Sequence, residues 1–86
     1  MEIHFPDEVT RNPVRQTLLF PAVIGNMTVE CRISKEALDS FGEESSDEVA
    51  LFQTHREEIE RAAERLIRQG RFETDKSILL LSEDLS

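Results

Sequence analysis

The sequence predicts a small α+β domain: a four-stranded, mainly antiparallel sheet with one long helix across one face, in the order β-β-β-α-α-β. Three observations predict it. Met27, Val29, Cys31 and Ile33 alternate with Thr28, Glu30 and Arg32, a period of two that turns one face to a core and the other to water. Gly25-Asn26 separates this run from an apolar run before it, and that pair suits a two-residue hairpin with a positive backbone angle at glycine. From Asp47 to Gln69, Phe52, Ile59, Ala63, Leu66 and Ile67 recur at helical spacing, with Leu51 and Ala62 at one margin.

Ile3 to Phe5 is the first strand, ended by Pro6. Asp7 to Pro13 is a loop with Asn12-Pro13 as a turn signal. Val14 to Ile24 is the second strand region, with the strand proper from Gln16, and it is apolar on both sides over Leu18, Leu19, Phe20, Ala22, Val23 and Ile24. Pro21 interrupts it. A proline cannot donate to a ladder, so Pro21 requires a bulge or an unpaired edge, and a first strand too short to reach it supplies that edge. Met27 to Ile33 is the third strand. Ser34 ends it and caps a short helix, Lys35 to Phe41, which buries Ala37, Leu38 and Phe41 and stops at Gly42.

Glu43 to Ser46 is a solvated acidic loop. Ser45 has capping-box spacing to Glu48, with Asp47 as the alternative cap for the long helix. Glu57 with Arg61 and Glu64 with Arg68 are i,i+4 pairs in the favoured orientation, and Gly70 ends the helix. Phe72 to Lys76 is a turn, Ser77 to Ser82 the fourth strand, and Glu83 to Ser86 a frayed acidic tail. The position of the last strand in the sheet is left open by the sequence.

The 86 residues make one domain over 1–86, and such a chain buries only roughly 60–65% of the surface its unfolded form exposes. A large private substrate cavity is therefore not expected. The formal charge of −8 repels polyanions and disfavours nucleic acid. That charge is uneven: Glu36 to Glu48 holds six acids and no base, whereas Arg61 to Arg71 holds four arginines and the single acid Glu64. The lone Cys31 allows no internal disulfide and fits a reducing compartment. No signal peptide or membrane span is visible, so a cytoplasmic protein is expected.

Few residues suggest chemistry. His55 and Arg56 lie near the apolar stripe, about 60° and about 40° from Phe52 on either side. They form either an anion or carboxylate site with the sheet, or a structural contact in which Arg56 pairs with an acid at the sheet edge and His55 fills space. Arg61, Arg65 and Arg68 share a face roughly opposite Phe52 and, with Arg71, are the candidate anion or partner contacts; otherwise they are a solvated face balanced by Glu57, Glu60 and Glu64. His4 and His55 lack a metal-ligand spacing, Cys31 faces inward, and no nucleophile–base pair or phosphate loop is present. No catalytic residue, cofactor or metal is expected. Leu19 and Val23 fall on the face away from Phe20 and Ala22, where a single helix layer leaves the sheet open to a protein partner or a second copy of the chain. The reading is a non-enzymatic interaction or accessory module, with nucleic-acid or phosphate binding through the arginine stripe as the alternative.

Ile3-His4-Phe5-Pro6, Leu19-Phe20-Pro21-Ala22, the run from Cys31 to Leu38, Phe41-Gly42, the run from His55 to Glu60, and Gly70-Arg71-Phe72 together resemble the domain of unknown function 1488 family, small bacterial and mostly proteobacterial proteins. The resemblance covers nearly the whole chain. It implies a compact α+β fold with a topology similar to double-stranded-RNA-binding domains, and it implies no established activity, cofactor or catalytic residue.

Overall fold

The structure, a computed structural model, describes residues 2–14, 16–42 and 47–85. Its elements are β1 (Ile3–His4), β2 (Thr10–Asn12), β3 (Thr17–Ile24), β4 (Met27–Ser34), α1 (Lys35–Asp39), α2 (Glu48–Thr54), α3 (Arg56–Arg68), β5 (Ile78–Leu80) and a 3-10 turn at Ser82–Leu85. The hairpin of β3 and β4 is the spine of the sheet, in register from Ile24↔Met27 to Thr17↔Ser34. Gly25 closes it at φ 59, an angle that costs glycine little.

The sheet runs β1-β3-β4-β5, with β2 also paired to β3. β1 and β2 therefore share one edge, β1 opposite Val23–Ile24 and β2 opposite Thr17–Leu19. Four strand positions are filled by five segments, and all pairs are antiparallel except β4 with β5. The expected Asp7–Pro13 loop thus contains a strand. Thr10-Arg11-Asn12 has no apolar alternation because it is an edge piece with little to bury. The Val14–Gln16 start of the second strand is corrected too: Pro13 and Val14 lie in a turn, and β3 begins at Thr17 after Gln16 turns through φ 53.

Pro21 finds the edge it needs. Counting outward from the hairpin-closing pair Ile24↔Met27, Pro21↔Glu30 is a non-hydrogen-bonded pair, so the position of the missing N–H faces away from β4. On that side β1 has ended and β2 has not begun.

α1, α2 and α3 cover one face. Leu18, Phe20, Ala22, Val29, Cys31, Ile33, Ile78 and Leu80 from the sheet meet Ala37, Leu38, Leu51, Phe52, Ile59, Ala62, Ala63, Leu66 and Ile67 from the helices. Phe20 packs on Phe52 with ring centres 5.2 Å apart, and Phe5 on Phe20 at 6.2 Å. Ser34 Oγ accepts the Ala37 amide at 3.1 Å, capping α1 as expected. Asp47 Oδ1 caps α2 by accepting the amides of Val49 and Ala50; Ser45, the other candidate cap, lies outside the described residues, as does the Glu43–Ser46 loop.

The single long helix over 47–69 is instead two, α2 and α3, bent at His55 with φ −109 and ψ 18. Neither proline nor glycine marks the bend. Backbone bonds run up to it, from His55 N to Leu51 O, and away from it, from Ile59 N to His55 O. Contacts outside the helix flank it: His55 stacks on Phe41 and Arg56 reaches the β1–β2 connection. At the C-terminus, Ser82–Leu85 forms a 3-10 turn where a frayed tail was expected. Asp84 Oδ2 accepts the Leu81 amide and Leu85 packs against the core.

Candidate functional site

Alternation along the strands leaves the second face of the sheet without a covering layer among the described residues. Cross-strand neighbours there are Leu19, Arg32 and Leu79 in one row, Pro21 and Glu30 in the next, and Val23 between His4 and Thr28 in the third. Leu19, Pro21, Val23 and Leu79 are only half-buried. Arg32 stands between Leu19 and Leu79 in the register with 12% of its side chain exposed, and its Nη2 donates to Ser77 Oγ at 2.9 Å and sits 3.9 Å from Asp75. Ser77 Oγ and N both donate to Asp75 Oδ1, and these bonds, with Arg32 beside them, hold the Asp75 carboxyl below its ordinary range.

The break in the edge strand opens a groove on this face. Leu19, Pro21 and the backbone of Phe20 lie beneath it, with Thr10, Thr28, Glu8 and Glu30 around it, and its volume is about 410 Å³. Arg56 holds the break open from the helical side. Its Nη2 donates to the Pro6 carbonyl, Nη1 lies 3.4 Å from Asp7 Oδ1, and Nε donates to Glu60 Oε2 at 2.6 Å. The guanidinium also sits 5.2 Å from the centre of the Phe52 ring, a cation–π contact.

Arg56 is therefore a tie between α3 and the β1–β2 connection. His55, its sequence neighbour, stacks on Phe41 at 4.0 Å with the rings 5° from parallel, and its Nδ1 lies 3.8 Å from Glu58. The two residues point to different partners and do not converge on a shared anion site.

Arg61, Arg65 and Arg68 share one exposed face of α3, as their spacing requires, yet each guanidinium has an oxygen beside it. Arg61 pairs with Glu57 at 2.5 Å, Arg68 with Glu64 at 2.8 Å, and Arg65 donates to the Asp84 carbonyl. Arg71 stands apart from them, beside Phe72, Leu81 and Asp84 at the end of the helix. His4 projects from the open face while His55 lies on the helical side, and among the described residues no group of three or more His, Cys, Asp or Glu is placed to hold a metal. Cys31 is fully buried, and desolvation, with Glu30 adding a smaller repulsion, pushes its thiol up to about 12. No helix among the described residues is long and apolar enough to cross a membrane.

Sequence reasoning identified the open face through Leu19 and Val23 but missed the groove and its rim residues Glu8 and Glu30. The signal was Pro21: a proline inside an apolar strand demands a gap beside it, and a gap on an uncovered face is a groove.

Comparison with known proteins agrees with this architecture. An uncharacterised protein, YrdB, of Escherichia coli K12 is 33% identical over 69 residues, 78% of this chain and 81% of its own length. The corresponding protein of Shigella flexneri is 32% identical over the same extent. A crystal structure at 1.60 Å of a protein of unknown function from Shewanella loihica PV-4 superposes with a TM-score of 0.84 at 27% identity, covering 93% of this chain and 94% of that one. The family model for the protein of unknown function DUF1488 matches residues 3–80, and the chain belongs to that family.

Proposed function

We propose that this chain is a non-enzymatic interaction module that docks a protein partner on the uncovered face of its sheet. The observation that carries this reading is the asymmetry of the sheet: one face is closed by helices, while the other presents Leu19, Pro21, Val23 and Leu79 between polar neighbours. The partner's segment is apolar with basic residues, because both glutamates at the groove rim are acidic and the chain as a whole carries −8. The pairing of Arg61, Arg65 and Arg68 with neighbouring oxygens weighs against a phosphate-contacting stripe, which would need those guanidinium groups for its ligand.

The test is selection of randomised displayed peptides against the wild-type chain and against Leu79→Ser, which alters the open face outside the groove. Enriched peptides that combine apolar and basic residues and fail to bind Leu79→Ser support the reading. Absence of enrichment, or ligands indifferent to Leu79, defeats it. Sedimentation of the chain alone tests a second copy as the occupant: self-association abolished by Leu79→Ser would put the chain itself in the partner's place. Binding of RNA or DNA at low salt, lost in Arg65→Glu/Arg68→Glu, would favour the arginine stripe instead.

A further inference from the structure

We propose that the groove at the break in the edge strand receives a single arginine or lysine side chain from the partner; this deepens the docking reading above and rests on it. The groove matches such a side chain part by part. Its floor carries the side chains of Leu19 and Pro21, both apolar and suited to the methylene stem of a long basic residue. Its rim carries Glu8 and Glu30 and no base. Among the described residues neither of these carboxylates has a hydrogen-bond or ion-pair partner, whereas Glu48, Glu57, Glu60 and Glu64 each have an arginine within 4.0 Å. Strand geometry adds a third acceptor. Pro21 shows the same side of its backbone to the gap with both its nitrogen and its carbonyl, and no edge strand stands there to pair with that oxygen. Two carboxylates and a backbone carbonyl, with no cationic side chain among the lining residues, offer the acceptors that a guanidinium or ammonium group binds.

The groove is also built before any ligand arrives. The Pro6–Asp7 segment that would otherwise continue the edge is fastened by Arg56 on the helical side, and the Glu8 amide donates to Pro6 O at 2.8 Å, which keeps Glu8 at the mouth. Arg56 is thus a positioning residue for the site. It makes no contact with the ligand.

The experiment titrates the full isotopically labelled chain with an acetylated, amidated peptide of pattern Thr-Leu-Arg-Leu-Thr, and with the same peptide carrying citrulline, the neutral isostere, in place of arginine. The arginine peptide is expected to shift the amides of Thr10, Leu19, Thr28 and Glu30 and to bind about tenfold more tightly than the citrulline peptide, the worth of one charge-assisted contact. Glu8→Gln/Glu30→Gln is expected to reduce it to the citrulline level without altering the spectrum elsewhere. Equal binding of the two peptides, or shifts confined to α3, would overturn the proposal. If Leu79→Ser abolishes binding while Glu8→Gln/Glu30→Gln leaves it intact, the docking face stands and the groove assignment falls. If the arginine peptide does not bind while displayed ligands still require Leu79, the outcome is the same. If peptide binding survives Leu79→Ser and both glutamate substitutions, the groove and the face fall together.

Discussion

The two faces of one sheet are built from the same strands and differ in almost every physical respect. The helical face carries Phe20, Ala22, Cys31, Ile33 and Leu80 at no more than 1% exposure, every one touching a helix or a neighbouring core side chain. The open face alternates half-buried aliphatics with Thr10, Thr28, Glu30 and Arg32. On the docking reading, stability and recognition are thereby separated. The inner face supplies the burial that orders an 86-residue chain, and the outer face is free to vary its chemistry without unfolding it. The broken edge belongs to the same division, since pieces of two and three residues offer little template for edge-to-edge aggregation while leaving a groove.

The largest effect expected is at the helix–sheet contact. Phe52→Ala removes a fully buried ring that touches Phe20 and the Arg56 guanidinium, and is expected to cost about 3–5 kcal/mol in chemical denaturation. Leu79→Ser on the open face is expected to cost about 1 kcal/mol or less. Comparable losses at the two positions would show that the open face is part of the core.

Cys31 sharpens the comparison through pH. Its thiol is raised from 9.0 to about 12 in the folded chain, so between those values the unfolded state has released a proton that the folded state retains. The contribution of this group to stability is complete below pH 9.0 and is lost as the pH rises toward about 12. Cys31→Ala should flatten the alkaline limb of a stability–pH curve, and the native thiol should resist alkylation at pH 8 until denaturant is added.

Arg56 joins the two regions, since it packs over core Phe52 and holds the Pro6–Asp7 segment behind the groove. With 16% of its side chain exposed, Arg56→Met keeps the apolar stem and loses the polar ties. A destabilisation of about 1–2 kcal/mol is expected, less than for a fully buried pair because Asp7 is solvated. Amides of Pro6's neighbours and of Glu8 should shift while those of β5 stay in place. A spectrum altered throughout would mean that Arg56 is a core residue and not a local clamp.

Which of these features could be read from the chain follows from how local their causes are. The alternation in β4, the Gly25 turn, the Ser34 cap and the apolar stripe are each set by residues within a few positions of one another, and each was legible. The bend at His55 was not, because the contacts that flank it are with Phe41, fourteen positions earlier, and with Pro6 and Asp7, about fifty earlier. β2 was hidden for a different reason: a three-residue edge strand of Thr, Arg and Asn leaves no periodic trace. The groove was half legible. Pro21 announced a missing edge partner, but Glu8 and Glu30 are brought to it only by the register, from opposite sides of β3.

The smallest effect expected is also the cleanest measure of the difference between the faces, because it uses one substitution twice on adjacent rungs of the β3–β4 ladder. Val29 pairs with Ala22 on the inner face and Val23 with Thr28 on the outer. Val29→Thr places a hydroxyl in the core with no water to receive it, at an expected cost of about 1–3 kcal/mol. Val23→Thr replaces the same methyl by the same hydroxyl, yet it faces Thr28 across the ladder and has solvent within reach. Its expected change is within about 0.5 kcal/mol. A denaturation midpoint for Val23→Thr that falls as far as that for Val29→Thr would mean that something already covers the outer face in solution, and a second copy of the chain would then be the first occupant to look for.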